Sequence, residues 1–373
     1  MKLVTFEVRT PLGPFRRIGA LLDGELGPQA QIADLTSSYA ARLLEEGEPR
    51  ATEAASALLP PDMLAYLDGG DPSRHRALEA LEFARTHAAA GGPRGETLVF
   101  SSSEVRVISP LPRPRSIRDY STYEEHMSTR RREKPPVFYH AATCYKGNPE
   151  AVCGPDGPIL YPAYTDWLDP ELELACVVHK RGRNLSIAEA AEHIGGYTIL
   201  IDASARDLGP KDYLGPYKMK DFCTLLGPCL VTPDEFSEEH GRCGIRVNGE
   251  TWFEGDIGHR RHHYFPELIA YASDAEDVVP GDLLGSGTVG TGCSMDIGKW
   301  LQPGDVVEAW IEGIGTIRSA VVKEENERSY VRKGLPGRLA VPVPARDFIE
   351  RFDEDARERL QAGADGPGPR LLS

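Results

Sequence analysis

The sequence lacks the marks of several protein classes. Its seven cysteines are odd in number and scattered, with no CxxC spacing, which argues against a disulfide framework and against a zinc knuckle. No apolar run reaches the roughly 18 residues of a membrane-spanning helix. The opening stretch MKLVTFEVRT has an apolar patch too short and too polar for a signal peptide. Basic clusters are also scarce. The formal net charge is −15, and the one basic run, Arg130 to Arg132, is followed at once by Glu133. A phosphate-backbone binder needs a basic surface, so neither nucleic acid nor a membrane is an expected partner. No internal repeat is visible. These absences describe a cytoplasmic protein. What is present agrees: 40% hydrophobic and 27% charged residues in a chain of 373, enough for one large domain or two of ordinary size.

Residues 1–35 read as three short strands, MKLVTFEV, RRIGALLDG and QIADL, separated by turn residues. A helix is expected to start at Asp71-Pro72 and to stop at Gly91-Gly92. Residues 1–105 hold few clustered polar groups and read as a small β-rich N-terminal domain. From about residue 106 to 335 the pattern changes to strands and loops rich in Gly and Pro. SIAEAAEHIGG is an expected helix, with Ser186 and Glu189 as a capping box and Gly195 as its end. GYTILID follows as a strand, and PGDVVEAWIEGIGTIRSAVV reads as a turn and a hairpin over Val306 to Val322. An amphipathic helix is expected over Ala345 to Gln361, within a C-terminal segment 336–373 whose tail GADGPGPRLLS has a disordered composition.

One segment does not fit a plain core strand. LDPELELACVVHKRG, Leu168 to Gly182, carries two acids two residues apart. Side chains in a strand alternate between faces, so Glu171, Glu173, Ala175 and Val177 share one face, and Leu172, Leu174, Cys176 and Val178 the other. Two desolvated carboxylates side by side repel by several kcal/mol. Either they face water at a sheet edge or a cation sits between them. GYTILID ends in a third acid, Asp202. Three carboxylates at the ends of two neighbouring strands suit a hard divalent ion with oxygen ligands.

At this point the motifs resemble a known family. ELE after LD, GYTILIDASARD, KDFCTLLGPCLVTPDE, GDLLGSGT and PGDVVEAWIEGIGTI occur in this order between about Arg118 and Val322, and together they resemble the fumarylacetoacetate hydrolase family. The resemblance implies an α+β, mostly β fold: a mixed β-roll catalytic domain with a small N-terminal domain, usually as a homodimer. It implies a divalent metal, Mg²⁺ first and Mn²⁺ or Ca²⁺ as alternatives, held by Glu171, Glu173 and Asp202. RDYSTYEEH supplies Asp119 and His126 at the seven-residue spacing of the fumarylacetoacetase branch. By that resemblance Asp119 completes the metal shell and His126 is the general base. Asp296, in GCSMDIGKW, stands where relatives tend to have the Glu that orients this base. Lys220 and Arg206 match the cations that hold a developing oxyanion. Thr224, Thr288 and Tyr139 match substrate-contacting positions. One departure is Gly209, where carbon–carbon-cleaving relatives often carry Gln.

The activity implied is metal-dependent hydrolysis of a carbon–carbon bond in an acylpyruvate or 1,3-diketone acid. The alternative is a family variant that decarboxylates, isomerises, hydrates or dehydrates a 2-oxo acid. Two other motifs carry little. HRRHH, His259 to His263, lacks suitable acidic neighbours and reads as a solvated loop. GSGTVGTG lacks the GK[ST] ending of a phosphate loop.

Overall fold

The computed structural model describes residues 1–126, 136–208 and 215–325. The helix expected at Ala345 to Gln361, the tail after it, and Gly209 lie outside the described residues. Among the described residues seventeen strands are formed: β1 Lys2–Thr10, β2 Gly13–Leu21, β3 Gln31–Asp34, β4 Val99–Ser101, β5 Arg106–Ile108, β6 Ser116–Tyr120, β7 Cys144–Lys146, β8 Val152–Cys153, β9 Ile159–Tyr161, β10 Leu168–Val178, β11 Ile194–Ala205, β12 Thr224–Val231, β13 Arg242–Val247, β14 Glu250–Asp256, β15 Asp282–Gly285, β16 Val306–Ile311 and β17 Gly315–Lys323. The α-helices lying wholly within the described residues are α1 Leu35–Glu45, α2 Ala51–Leu58, α3 Met63–Asp68, α4 Gly70–Thr86, α5 Ile187–Ala191, α6 Gly215–Lys220, α7 Phe265–Ala272 and α8 Ser294–Ile297. No helix among the described residues is long and apolar enough to cross a membrane.

The larger sheet runs β4-β3-β2-β1-β12-β11-β10-β15-β6-β7, with β5 on β1 and β8 on β12; the smaller runs β14-β13-β16-β17-β9. The fold is thus mixed α/β dominated by sheet, with no closed barrel among the described residues. The first strands are not separate from the rest, because β1 pairs antiparallel with β12 through Lys2↔Val231 and Leu3↔Leu230.

Alternation along β10 explains the two cores. Leu172, Leu174, Cys176 and Val178 pack into the apolar layer shared with Ile245, Ala309 and Ile317 of the smaller sheet. Ala175 and Val177 point the other way, into a second layer with Ala77, Ala80 and Leu81 of α4. Asp169, Glu171 and Glu173 have the parity of this second face, towards the start of the strand. β10 is no edge strand: it lies between β11 and β15, and all eleven of its residues are buried. The solvated-face alternative for its acids is therefore excluded.

Three local expectations are revised. α4 begins at Gly70, not at an Asp71 cap, and ends at Thr86; the Asp71 carboxylate instead pairs with Lys180 at 3.0 Å. α5 has the expected Ser186–Glu189 capping box but stops at Ala191, and β11 has begun by Ile194, so Gly195 is a strand residue. The HRRHH loop is only partly solvated. Arg261 is buried against Glu238 at 3.0 Å, and His263 Nε2 lies 2.7 Å from the Phe138 carbonyl.

Candidate functional site

Strand register assembles the site. Glu171 is paired with Asp202 across β10 and β11, and Asp202 with Thr224 across β11 and β12. Directly paired residues project to the same face, so Thr224, Asp202 and Glu171 form one row. A second row crosses β15, β6 and β7: Gly285 pairs with Asp119, and Asp119 with Tyr145. The two rows meet around Glu173. Asp119, Glu173 and Asp202 each offer a carboxylate oxygen within 4.8 Å of the others. A cavity of about 400 Å³ opens beside them, lined among others by Asp119, His126, Tyr145, Glu171, Lys220 and Thr288.

The residues fit a divalent cation on two observations. Asp119 Oδ1 and Asp202 Oδ1 are buried and accept no hydrogen bond from the described residues, although a buried carboxylate oxygen without a partner is costly. Gly285 lets the carboxylates come this close: a Cβ there would lie 2.6 Å from Asp119 Oδ1 and 2.7 Å from Glu173 Oε2. Oxygen donors in this number match Mg²⁺, Mn²⁺ or Ca²⁺ rather than a thiolate-seeking ion.

The electrostatics agree. Burial, and then the other carboxylates, push Glu173 well above the usual carboxylate range. Burial likewise raises Asp119, against the pull of Lys220. Asp202 is pushed up to about 7, again chiefly by burial and against the pull of Lys220. Lys220 bridges Glu171 and Asp202; burial alone would lower its pKa, but these carboxylates raise it above the ordinary lysine value. Tyr145 donates its hydroxyl to Asp202 Oδ2 at 2.7 Å, and the Gly287 amide donates to Glu173 Oε2 at 3.0 Å.

Glu171 is held from several sides. Thr288 Oγ1 donates to its Oε1 at 2.6 Å, and Ser204 Oγ to its Oε2 at 3.0 Å. Arg206 also contacts it, while the Arg206 Nε donates to Asp169 Oδ2 at 2.6 Å. Asp169 Oδ1 in turn accepts the Ser294 amide at 2.6 Å, at the start of α8. Arg206 is therefore seated behind Glu171 and is not among the residues lining the cavity. His126 is buried, with Nε2 3.3 Å from Glu171 Oε1 and 3.5 Å from Thr288 Oγ1. Asp296 lies in α8, where its Oδ2 accepts from the Cys293 thiol at 3.1 Å.

The structure thus brings together Asp119, Glu171, Glu173, Asp202, Lys220, Thr288 and His126, with Thr224 paired beside Asp202. Tyr139 lies apart from them. It is exposed, its ring packs edge-on against His262, and it does not line the cavity. Tyr120 and Tyr145 line the cavity instead, and of the two it is Tyr145, which no sequence signal marks, that bonds Asp202. Asp169 was missed although it was legible, since its parity on β10 is that of Glu171 and Glu173. Cys293, between His126 and Asp296, was not.

Residues 115–322 match the family profile described as fumarylacetoacetate (FAA) hydrolase C-terminal. Over 274 residues the chain is 30% identical to the mitochondrial oxaloacetate tautomerase of Homo sapiens, covering 71% of this chain and 81% of that protein. Two solved structures share the fold: a fumarylacetoacetate hydrolase from Exiguobacterium antarcticum, with TM-score 0.63, 22% identity and coverage of 86% of this chain and all of the other, and a 5-carboxymethyl-2-hydroxymuconate delta-isomerase from Mycobacterium smegmatis, with TM-score 0.60, 22% identity and coverage of 87% and 100%. Hydrolase, isomerase and tautomerase thus all occur among these similar proteins. With more than half of its length matched to one profile, the chain belongs to the fumarylacetoacetate hydrolase family.

Proposed function

We propose that the protein is a divalent-cation-dependent enzyme acting on a 2-oxo acid that carries a second carbonyl, and that it hydrolyses the carbon–carbon bond between them, as in an acylpyruvate. The observation supporting this is the position of His126. It is buried at the cavity, beside Glu171 and Thr288, next to the acid cluster but outside the carboxylate set that would hold the ion.

Asp119, Glu171, Glu173 and Asp202 would hold the cation. A bound divalent cation polarises a carbonyl and stabilises negative charge as a neighbouring bond breaks. His126 takes a proton from water. The water oxygen bonds to the acyl carbon, and Lys220 offers positive charge to the developing oxyanion. The carbon–carbon bond then breaks, its electron pair leaves on the carbon next to the 2-oxo group, and that carbon receives the proton. The products are a carboxylic acid and a 2-oxo acid. Thr288 and Arg206 hold Glu171 in place, and Tyr145 and Thr224 flank Asp202.

A second reading is favoured by the named activity of the human relative: tautomerisation of a 2-oxo dicarboxylic acid. It uses the same base, moving a proton between carbon and oxygen with no water consumed. The two separate in ¹⁸O-labelled water with Mg²⁺ present. Hydrolysis places one ¹⁸O in the released carboxylate, and is lost with chelator and reduced by roughly 10²-fold or more in His126→Ala. Loss of the enol form of oxaloacetate with no change in mass, and no turnover of acylpyruvates, would replace hydrolysis by tautomerisation. Absence of both activities would sink the enzymatic reading.

A further inference from the structure

Cys293 is buried between His126 and Asp296. Its Sγ lies 4.0 Å from His126 Nδ1 and donates to Asp296 Oδ2 at 3.1 Å. The three side chains each bring a polar atom within 4.8 Å of the others. The hydrogen bonds from carboxylate towards imidazole run through the sulfur. A thiol is both a weak donor and a weak acceptor, so it can pass orientation from one to the other. Here its hydrogen is given to Asp296, which leaves the sulfur lone pairs to accept from His126.

We propose that Cys293 is a positioning residue that completes a His126–Cys293–Asp296 chain and selects the His126 tautomer. In that chain Nδ1–H donates to Sγ, and S–H donates to Oδ2 of Asp296. Nε2 is then the nitrogen with the lone pair. It faces Glu171 and Thr288 on the cavity side, where a water or a substrate carbon would lose its proton. When Nε2 gains a proton, the imidazolium charge is shared down the chain with no further proton transfer. The opposite tautomer would turn Nε2–H on Glu171 Oε1 and leave the ring without a basic nitrogen at the cavity. Asp296 has one methylene fewer than a glutamate, and the sulfur fills the gap. The contact to Nδ1 is long, but hydrogen bonds of catalytic groups often shorten only in the substrate complex.

The proposal rests on His126 being the base, so its test has one arm that does not need turnover. In ¹⁵N-histidine-labelled protein with Mg²⁺, with the His126 signal assigned by its loss in His126→Ala, the wild type should carry its proton on Nδ1. Cys293→Ala should move it towards Nε2. A wild-type His126 protonated on Nε2 alone, or a tautomer unchanged in Cys293→Ala, overturns the proposal whether or not a substrate is known. The second arm uses an acylpyruvate. Cys293→Ala should lower kcat by roughly tenfold or more with KM within about twofold. Adding Asp296→Glu in that background should restore most of kcat, because the longer carboxylate reaches Nδ1 across the space the thiol vacated. Full kcat in Cys293→Ala, or no recovery in the double variant when both melt near the wild type, overturns the chain. No turnover by the wild type sinks the hydrolase reading instead, and leaves the tautomer measurement to decide.

Discussion

At Gly285 the space for a side chain is already filled by oxygen, with Asp119 and Glu173 both inside 3 Å of where a Cβ would stand. Gly285→Ala must push at least one carboxylate away. Supporting residues of metal sites typically cost 10–100-fold in affinity when changed. Mg²⁺ affinity measured by calorimetry should fall by at least about tenfold; an affinity within twofold of wild type would place the ion elsewhere. Asp169 makes a different kind of prediction. It accepts from both the Arg206 Nε and the Ser294 amide and is fully buried. Asp169→Ala leaves a buried guanidinium short of one partner, and breaking a buried pair from one side costs about 3–5 kcal/mol. Urea unfolding of the variant should show a loss of this order. A loss under about 1 kcal/mol would mean that Arg206 finds another acceptor.

Elements were legible in proportion to how local their signals are. β1, β2, β3, β11 and the β16–β17 hairpin lie close to where alternation and turn residues put them. The capping box at Ser186 and Glu189 forms as spelled out, with the Glu189 amide donating to Ser186 Oγ at 3.3 Å. Ser186→Ala should therefore cost about 1 kcal/mol of stability and leave any activity unchanged, because α5 does not line the cavity. A coincident loss of activity would show that α5 is coupled to the site. The ends of α4 and α5 were misread because Asp71 and Gly195 are used by the tertiary structure: one pairs with Lys180, the other runs in β11. The same division holds for the site. The acids on β10 and β11 follow from period-two alternation plus register. Tyr145 and Cys293 reach it only through strand pairing and the path of the loop before α8, which no short stretch of sequence encodes.

For the whole molecule, the continuity of the larger sheet and the charge of its buried acids matter most. The N-terminal strands hydrogen-bond directly to β12, and the helices between β3 and β4 cover the same face that carries Ala175 and Val177. Calorimetry of the metal-free protein should show one cooperative transition; two resolved transitions would mean that residues 1–105 fold apart. The pH dependence follows from the acids. Asp202 titrates at about 7 in the metal-free fold, and Asp119 and Glu173 are also raised, against about 4 for unfolded carboxylates. A raised folded pKa means that the fold holds the proton more tightly than the unfolded chain does. Its stabilising contribution is complete below about pH 4 and is lost as pH rises through about 7. A divalent cation needs the deprotonated acids, so its binding releases protons and tightens over the same interval, by up to about tenfold per pH unit for each proton displaced. Mg²⁺ should therefore raise the melting temperature more at pH 8 than at pH 5.5. Equal stabilisation at the two pH values would show that the ion does not replace protons on these carboxylates.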